Sequence, residues 1–249
     1  MKKHVTAAIC AGLMASTAIA ADDDWGYGEN NGPAKWGDLN PAYAACSLGA
    51  LQSPIDLEGT EPVIMHRLKT FYDVSSVNMR NAKHTITTTY DMGNMLHVGQ
   101  KNFMLKNFMF HTPSEHTVSG ERFPMEIQFM HESANGEPAV VSVLVKEGAA
   151  NKAATELWGY LPLEPGQSSK NEKIYINARD FMPQDKSYYR YMGSYTTPPC
   201  AEGVNWYVLK QPIEMSAQQI SVVRGLIGGN TARPIQPRNN RIILDANPE

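Results

Sequence analysis

Cysteine is scarce in this chain: there are three in 249 residues, and one of them, Cys10, sits inside the first apolar stretch. That leaves too few thiols for a disulfide-dense small fold or for a zinc module built from cysteines. After residue 20 no run approaches the roughly 18 consecutive apolar residues of a membrane-spanning helix. Positive charge is also in short supply. Twenty-two Lys and Arg against 25 Asp and Glu give a net charge of −3 at pH 7, without a basic stripe, which argues against nucleic acid as a partner. No internal repeat, low-complexity tract or linker divides the chain, so solenoids and tandem domains are set aside.

What is present begins with an address. Lys2 and Lys3 supply a positive start, residues 5–20 are apolar or small, and Ala18, Ile19 and Ala20 form an A-x-A cleavage signal ahead of Ala21. This is the pattern of a secretory signal peptide, too short and wrongly flanked for a span. Cys10 lies within the apolar segment rather than at its end, which does not suit a lipid anchor. Residues 1–20 are therefore expected to be removed. Residues 21–249 are expected to form one domain in the periplasm or outside the cell, with no membrane span. Asp22, Asp23 and Asp24 read as a solvated acidic tail. Cys46 and Cys200 remain, and in an oxidising compartment such an even pair is expected to be a disulfide.

Residues 25–54 are rich in Gly, Pro and Trp with little periodicity, so they read as irregular chain wrapped onto a core. Short β-type runs follow at 85–90, 95–98, 107–111, 125–131 and 139–145, bounded by Gly, Asn or Pro. Only 149–160 and 216–227 carry apolar spacings near 3.6. The expected class is mainly β (α+β), one large sheet with a few surface helices.

Several blocks carry a family resemblance. They are Trp25-Gly26-Tyr27, Gly32-Pro33 with Trp36, and Gln52-Ser53-Pro54-Ile55. A longer block runs from Phe108 through Met109, Phe110, His111, Glu115 and His116 to Val118, and another is Pro124-Met125-Glu126-Ile127-Gln128-Phe129-Met130-His131. Tyr191 to Cys200, Glu202 to Trp206, and Arg233 to Pro237 with Arg241 complete the set. In this order the blocks span nearly the whole mature chain and resemble the α-carbonic anhydrases, with cysteines placed as in bacterial secreted members. The resemblance implies a central, mostly antiparallel ten-stranded sheet. It also implies a zinc ion held by three neutral histidines, with an open position for a water whose pKa falls to about 7.

The resemblance puts the three ligand positions at Met109, His111 and Gln128. The first two alternate on one strand and so share a face, but only one is an imidazole. A thioether is a soft donor and an amide oxygen an uncharged hard one, and neither is a usual zinc ligand. His131 lies three positions from Gln128, on the opposite strand face. Around the ligands, Glu126 matches the carboxylate that orients the third histidine, His116 a supporting histidine, and Asn107 a longer Gln beside the first ligand. Thr196 with Glu115 matches the pair that orients the zinc-bound hydroxide, and Thr197 also matches, although the same run shapes a loop beside Cys200. The proton-shuttle position falls on Asn94, whose amide does not titrate near neutral pH. The carbon dioxide pocket keeps Val140, Val204 and Trp206 and gains bulk at Met130 and Tyr195. His97 matches a cleft-lining position, and a set of His97, Met109 and His111 would suit Cu(I) better than zinc.

The expected function on these residues is a carbonic-anhydrase-like protein without catalytic zinc or hydratase activity. It would serve a binding or other non-hydratase role toward a small molecule, an anion or a surface partner, and no cofactor is expected. Two alternatives stand beside it. One is an active carbonic anhydrase with an atypical metal site, for which zinc would be the cofactor. The other is a non-catalytic metal-binding protein using Met109 and His111. Nothing in the sequence selects an oligomeric state.

Overall fold

The computed structural model describes residues 25–248; the signal peptide, its cleavage site and the acidic residues 22–24 lie outside the described residues. The strands are β1 Glu61–Met65, β2 Leu68–Phe71, β3 Ser75–Asn81, β4 Ile86–Thr89, β5 Met95–Val98, β6 Lys101–His111 and β7 Thr117–Val118. They continue as β8 Glu121–Arg122, β9 Met125–Ser133, β10 Pro138–Glu147, β11 Ser168–Ile176, β12 Tyr188–Ser194, β13 Glu202–Met215 and β14 Leu244–Pro248. Among the described residues twelve strands share one sheet, with the continuous order β1-β14-β12-β13-β10-β9-β6-β4-β3-β11. The expected ten strands are this path, and β5 and β2 are added beside it. The addition follows from length: the 11 residues of β6 pair with β5 at their beginning and with β4 near their end. The sheet is mixed, because β1–β14 and β10–β13 run parallel while the other neighbours are antiparallel.

A bulge in β6 decides which side chains face which way. Leu105 pairs with His131 of β9, but Asn107 pairs with Met130, so Lys106 is the extra residue. Upstream of it the odd positions Phe103 and Leu105 enter the main core; downstream the even positions Phe108 and Phe110 do. One added residue exchanges the two faces of a strand. Asn107, Met109 and His111 are thereby turned to the opposite face, where Glu126 and Gln128 lie across from His111 and Met109.

The two faces bury different chemistry. Phe108, Phe110, Ile127, Phe129, Val141, Val143, Tyr207 and Leu209 build the large core. The other face carries Val140, Leu144, Val204, Trp206 and Val208 in a smaller cluster, with the polar residues between them. β10 and its neighbours lie centrally, so they read as near-continuous apolar runs rather than as alternating ones.

Helices are few: α1 Trp36–Leu39, α2 Ala45–Leu48, α3 Lys152–Trp158 and α4 Ala217–Leu226. The last two fall inside the expected segments 149–160 and 216–227. Ser216 caps α4 by accepting from the Gln219 N–H, while the Gln219 side chain accepts from the Ser216 N–H, satisfying two free donors of the first turn. The segment 25–54 wraps the sheet as expected, and Cys46 is joined to Cys200 across 154 positions. No described helix is long and apolar enough to cross a membrane.

Phe108 is fully buried and meets the rings of Tyr90, Phe110, Phe129 and Phe181. Phe108→Ala is expected to lower stability by about 3–5 kcal/mol through lost burial and a residual cavity, read as a shifted urea midpoint with an unchanged m-value.

Candidate functional site

The site begins with the tautomer of His111. Its Nδ1 lies 3.1 Å from the backbone oxygen of Thr231. A carbonyl only accepts, so Nδ1 carries the hydrogen and Nε2 is left with its lone pair. That Nε2 is buried without a hydrogen-bond partner and lies 3.8 Å from Glu115 Oε2. The loop after α4 delivers Thr231: Gly228 and Gly229 adopt φ of 81° and 98°, which glycine reaches without steric cost, and the Thr231 N–H then donates to Thr112 O.

Behind His111 lie two fully buried carboxylates, Glu115 and Glu126. Gln128 Nε2 donates to both, at 2.8 Å to Glu115 Oε2 and 3.1 Å to Glu126 Oε1. Glu126 also accepts from Ser142 Oγ, from His116 Nδ1 and from the N–H groups of Glu115 and His116. Burial alone would raise the Glu126 carboxyl. The neighbouring His116 charge and these hydrogen bonds outweigh it and bring the pKa down to about 2. Glu115 Oε1 takes the Arg233 N–H at 3.1 Å. The Arg233 guanidinium donates to Gln52, Ser53 O and Cys46 O, tying the carboxylate region to the disulfide. Burial lowers the Arg233 pKa to about 10, against the opposing effects of Glu115 and Tyr27.

Most of the residues singled out in the sequence converge here. Met109 and Gln128 are direct cross-strand partners, as are His111 and Glu126. His116 bridges Glu126 and the Tyr191 hydroxyl. Met130 and Tyr195 pack against the cluster of Val140, Val204 and Trp206. Asn107 is on the same face, with its Oδ1 buried and unpartnered. Thr196 is buried beside Thr197 in the loop that ends at Cys200, but among the described residues no hydrogen bond joins it to Glu115, whose carboxylate is taken by Gln128 and Arg233.

Two residues go elsewhere. Asn94 is buried in the turn before β5, accepting from Asp73 N and donating to Asp91 O. Its own carbonyl takes the Leu105 N–H, six positions up β6 from His111 and so roughly 20 Å away. It braces a turn rather than the cleft. His97 pairs with Asn102, nine positions from His111 and on the order of 30 Å away. The Cu(I) set of His97, Met109 and His111 is therefore not assembled. His131 faces the main core, 2.6 Å from Tyr72 Oη, and burial lowers its pKa to about 4.

One imidazole near the site is not among the residues singled out. His84 lines a cavity together with Tyr27 and Thr231, and its Nε2 is buried without a partner. Burial and then Lys83 lower its pKa, opposed by a hydrogen bond to the Trp25 backbone. The available signal was its place at the start of the alternating run into β4, just after a turn made by Lys83 at φ 70°.

As a metal centre the arrangement is incomplete. No group of three or more His, Cys, Asp or Glu converges among the described residues. His111 has the tautomer and the bare Nε2 of a ligand, yet its neighbours offer a thioether and an amide whose NH2 is committed to two carboxylates. This donor set does not fit zinc held by three imidazoles.

A twelve-stranded mixed sheet with a buried polar cluster around one β6 histidine defines the class as a carbonic anhydrase fold. The chain belongs to the eukaryotic-type carbonic anhydrase family, whose model matches residues 31–247. It is 36% identical to a carbonic anhydrase of Neisseria gonorrhoeae, covering 94% of each chain. It is 34% identical to one of Pectobacterium carotovorum, covering 98% of this chain and all of that one. A hyperthermostable carbonic anhydrase from a hydrothermal vent chimney superimposes with a TM-score of 0.87 at 41% identity, over 90% of this chain and 100% of that one. These matches overturn the expectation of a protein without hydratase activity, because the full-length relatives are named carbonic anhydrases. The expectation gave two ligand positions more weight than the rest of the chain.

The lowered Glu126 pKa has a sign. Its contribution to stability is complete above the ordinary carboxyl value of 4.5 and is lost as pH falls from there toward 2. Glu126→Gln is expected to cost about 3–5 kcal/mol at pH 7, with the gap to the native protein narrowing below pH 4. Urea denaturation of both proteins at pH 7 and pH 3 measures it.

Proposed function

We propose that the chain interconverts carbon dioxide and bicarbonate in the His111 cleft, as a carbonic anhydrase with an atypical centre. Two of its three ligand positions are occupied by Met109 and Gln128 instead of histidine. The observation that carries the proposal is the prepared state of His111: Nδ1–H on the Thr231 carbonyl, and a buried Nε2 lone pair with no partner. Full-length similarity to proteins named carbonic anhydrase supports the reaction class.

In this scheme water hydrogen-bonds to His111 Nε2. As the water oxygen attacks the carbon of CO2, Nε2 takes its proton, giving bicarbonate and an imidazolium. Glu115, 3.8 Å from Nε2, stabilises the positive ring. The apolar cluster of Val140, Val204 and Trp206, with Met130 and Tyr195, offers a dry wall to an apolar gas. The imidazolium then gives its Nε2 proton to water, which regenerates the accepting nitrogen; Asn94, whose amide does not titrate near neutral pH, plays no part in this transfer. General-base catalysis supplies about 10²–10⁴-fold, a modest rate. We further propose that residues 21–249 are the mature protein, acting in the periplasm or outside the cell after cleavage near Ala20.

Stopped-flow CO2 hydration and zinc content of three proteins test this. The native chain is expected to exceed the buffer rate with less than one zinc per chain, and His111→Ala to fall to the buffer rate. Met109→His/Gln128→His is expected to bind one zinc and turn over faster. A native rate equal to buffer, or one unchanged in His111→Ala, overturns the proposal. Equal zinc in the native and double-variant proteins refutes the ligand assignment.

A further inference from the structure

Where β2 begins and β5 ends, on the order of 30 Å from His111, the chain gathers positive charge that it does not neutralise. His66, Arg67 and Lys69 come from the turn into β2, His97 from β5, and Gly99 and Gln100 from the hairpin that joins β5 to β6. Together they wall a depression of about 370 Å³. A second depression, also of about 370 Å³, shares Arg67 and adds Leu68, Gln184, Asp185 and Lys186. No carboxylate among the described residues lines the first. The carboxylate lining the second, Asp185, is taken by the Ser187 N–H and hydroxyl. Acidic side chains outnumber basic ones in the chain. Yet the surface ion pairs engage Lys101, Lys106, Lys146, Lys170 and Lys210, and leave Arg67, Lys69 and Lys186 without a carboxylate among the described residues.

The walls are held in place rather than formed by loose side chains. Gly99 has φ of 60°, and a Cβ there would fall 2.6 Å from His66 Cδ2. The glycine thus makes the hairpin and lets the His66 ring lie against it. Phe71 holds the His97 ring, centroid to centroid at 4.6 Å. Lys186 Nζ donates to Thr70 Oγ1 at 3.3 Å. Burial, then Arg179, lowers the pKa of that lysine, and the second cause marks like charge close by. Cations set side by side repel, and an anion seated among them removes that cost. A guanidinium presents a planar fork of donors that matches phosphate oxygens, and an ammonium adds a point charge. Two depressions joined at one guanidinium fit two anionic groups. We infer that this surface binds phosphate groups two at a time, with Arg67 between them, His66, Lys69 and His97 around one, and Lys186 beside the other. Two phosphates arrive either in one soluble diphosphate or as neighbouring headgroups of an anionic lipid surface; the chemistry recognised is the same.

The test is isothermal titration of residues 21–249 with diphosphate and with orthophosphate, and co-sedimentation with phosphatidylcholine vesicles with and without phosphatidylglycerol. Saturable diphosphate binding is expected, about tenfold tighter than orthophosphate and weakened by added salt. Arg67→Gln is expected to weaken it about tenfold and Lys69→Gln about fivefold, as for the loss of charged hydrogen-bond donors. Both residues are exposed, so the fold is retained. Lys170→Gln, which removes an exposed charge on β11, is expected to change nothing. Absence of saturable diphosphate binding, or an equal loss in Arg67→Gln and Lys170→Gln, overturns the inference. Orthophosphate binding as tight as diphosphate overturns the two-group fit. Retention on phosphatidylglycerol vesicles that is lost in Arg67→Gln identifies a lipid surface as the source, and diphosphate binding without retention identifies a soluble anion. These readouts do not involve turnover, so their failure leaves the His111 proposal standing.

Discussion

The placement of one unpaired residue, Lys106, governs how this molecule divides its chemistry. β6 enters the sheet with its odd positions in the core and leaves it with its even positions there. Without the bulge, His111 would point among Phe129, Phe181 and the main apolar cluster, where an imidazole would go unsolvated and unpaired. With it, the aromatic residues of one strand seal the core while Asn107, Met109 and His111 face the buried polar cluster on the other side. β9 needs no such correction, because Glu126 and Gln128 already alternate with Ile127 and Phe129. The polar cluster therefore forms where the corrected half of β6 meets β9.

Within the cleft, two ionisable carboxylates with no solvent exposure dominate the energetics. Such groups persist only when they are heavily hydrogen-bonded. Glu126 meets that condition with donors from Ser142, His116, Gln128 and two backbone N–H groups. Glu115 meets it with Gln128 and Arg233. Gln128 is the one side chain shared by both. A histidine at that position would carry two ring nitrogens, and an N–H given to one carboxylate leaves the other nitrogen for a metal. The amide NH2 instead spans both carboxylates. Gln128 thus consolidates the buried charges and offers no ring nitrogen beside His111.

Much of this was legible in the sequence, for identifiable reasons. Strands such as 95–98 and 125–131 announce themselves by composition and bounding turns, and α4 by its 3.6 spacing. The cross-strand partnership of Met109 with Gln128 followed from blocks in family order. The edge strand β1 and its neighbour β14 escaped because Glu61–Met65 and Leu244–Pro248 contain Pro and charge, which weaken the strand signal. The bulge left no local mark, since Lys106 is an ordinary surface residue between Leu105 and Asn107. The turn contacts of Asn94 were not legible for a related reason: a loop residue matched by position alone carries no period that fixes where it points. His84 went unnoticed because Thr231, which shares its cavity, is distant in sequence.

That distance is also what links the two spaces of the molecule. The loop from Gly228 to Thr231 leaves α4, borders the cavity of Tyr27 and His84, and ends on the Thr112 carbonyl beside His111. Its Thr231 presents a hydroxyl and a carbonyl, the first unpaired and the second fixing the proton on His111 Nδ1. A shift of that carbonyl by a few tenths of an ångström weakens its hold on Nδ1–H, and with it the preference that leaves Nε2 free to accept. The tautomer of His111 is therefore set by the backbone of the segment that follows α4.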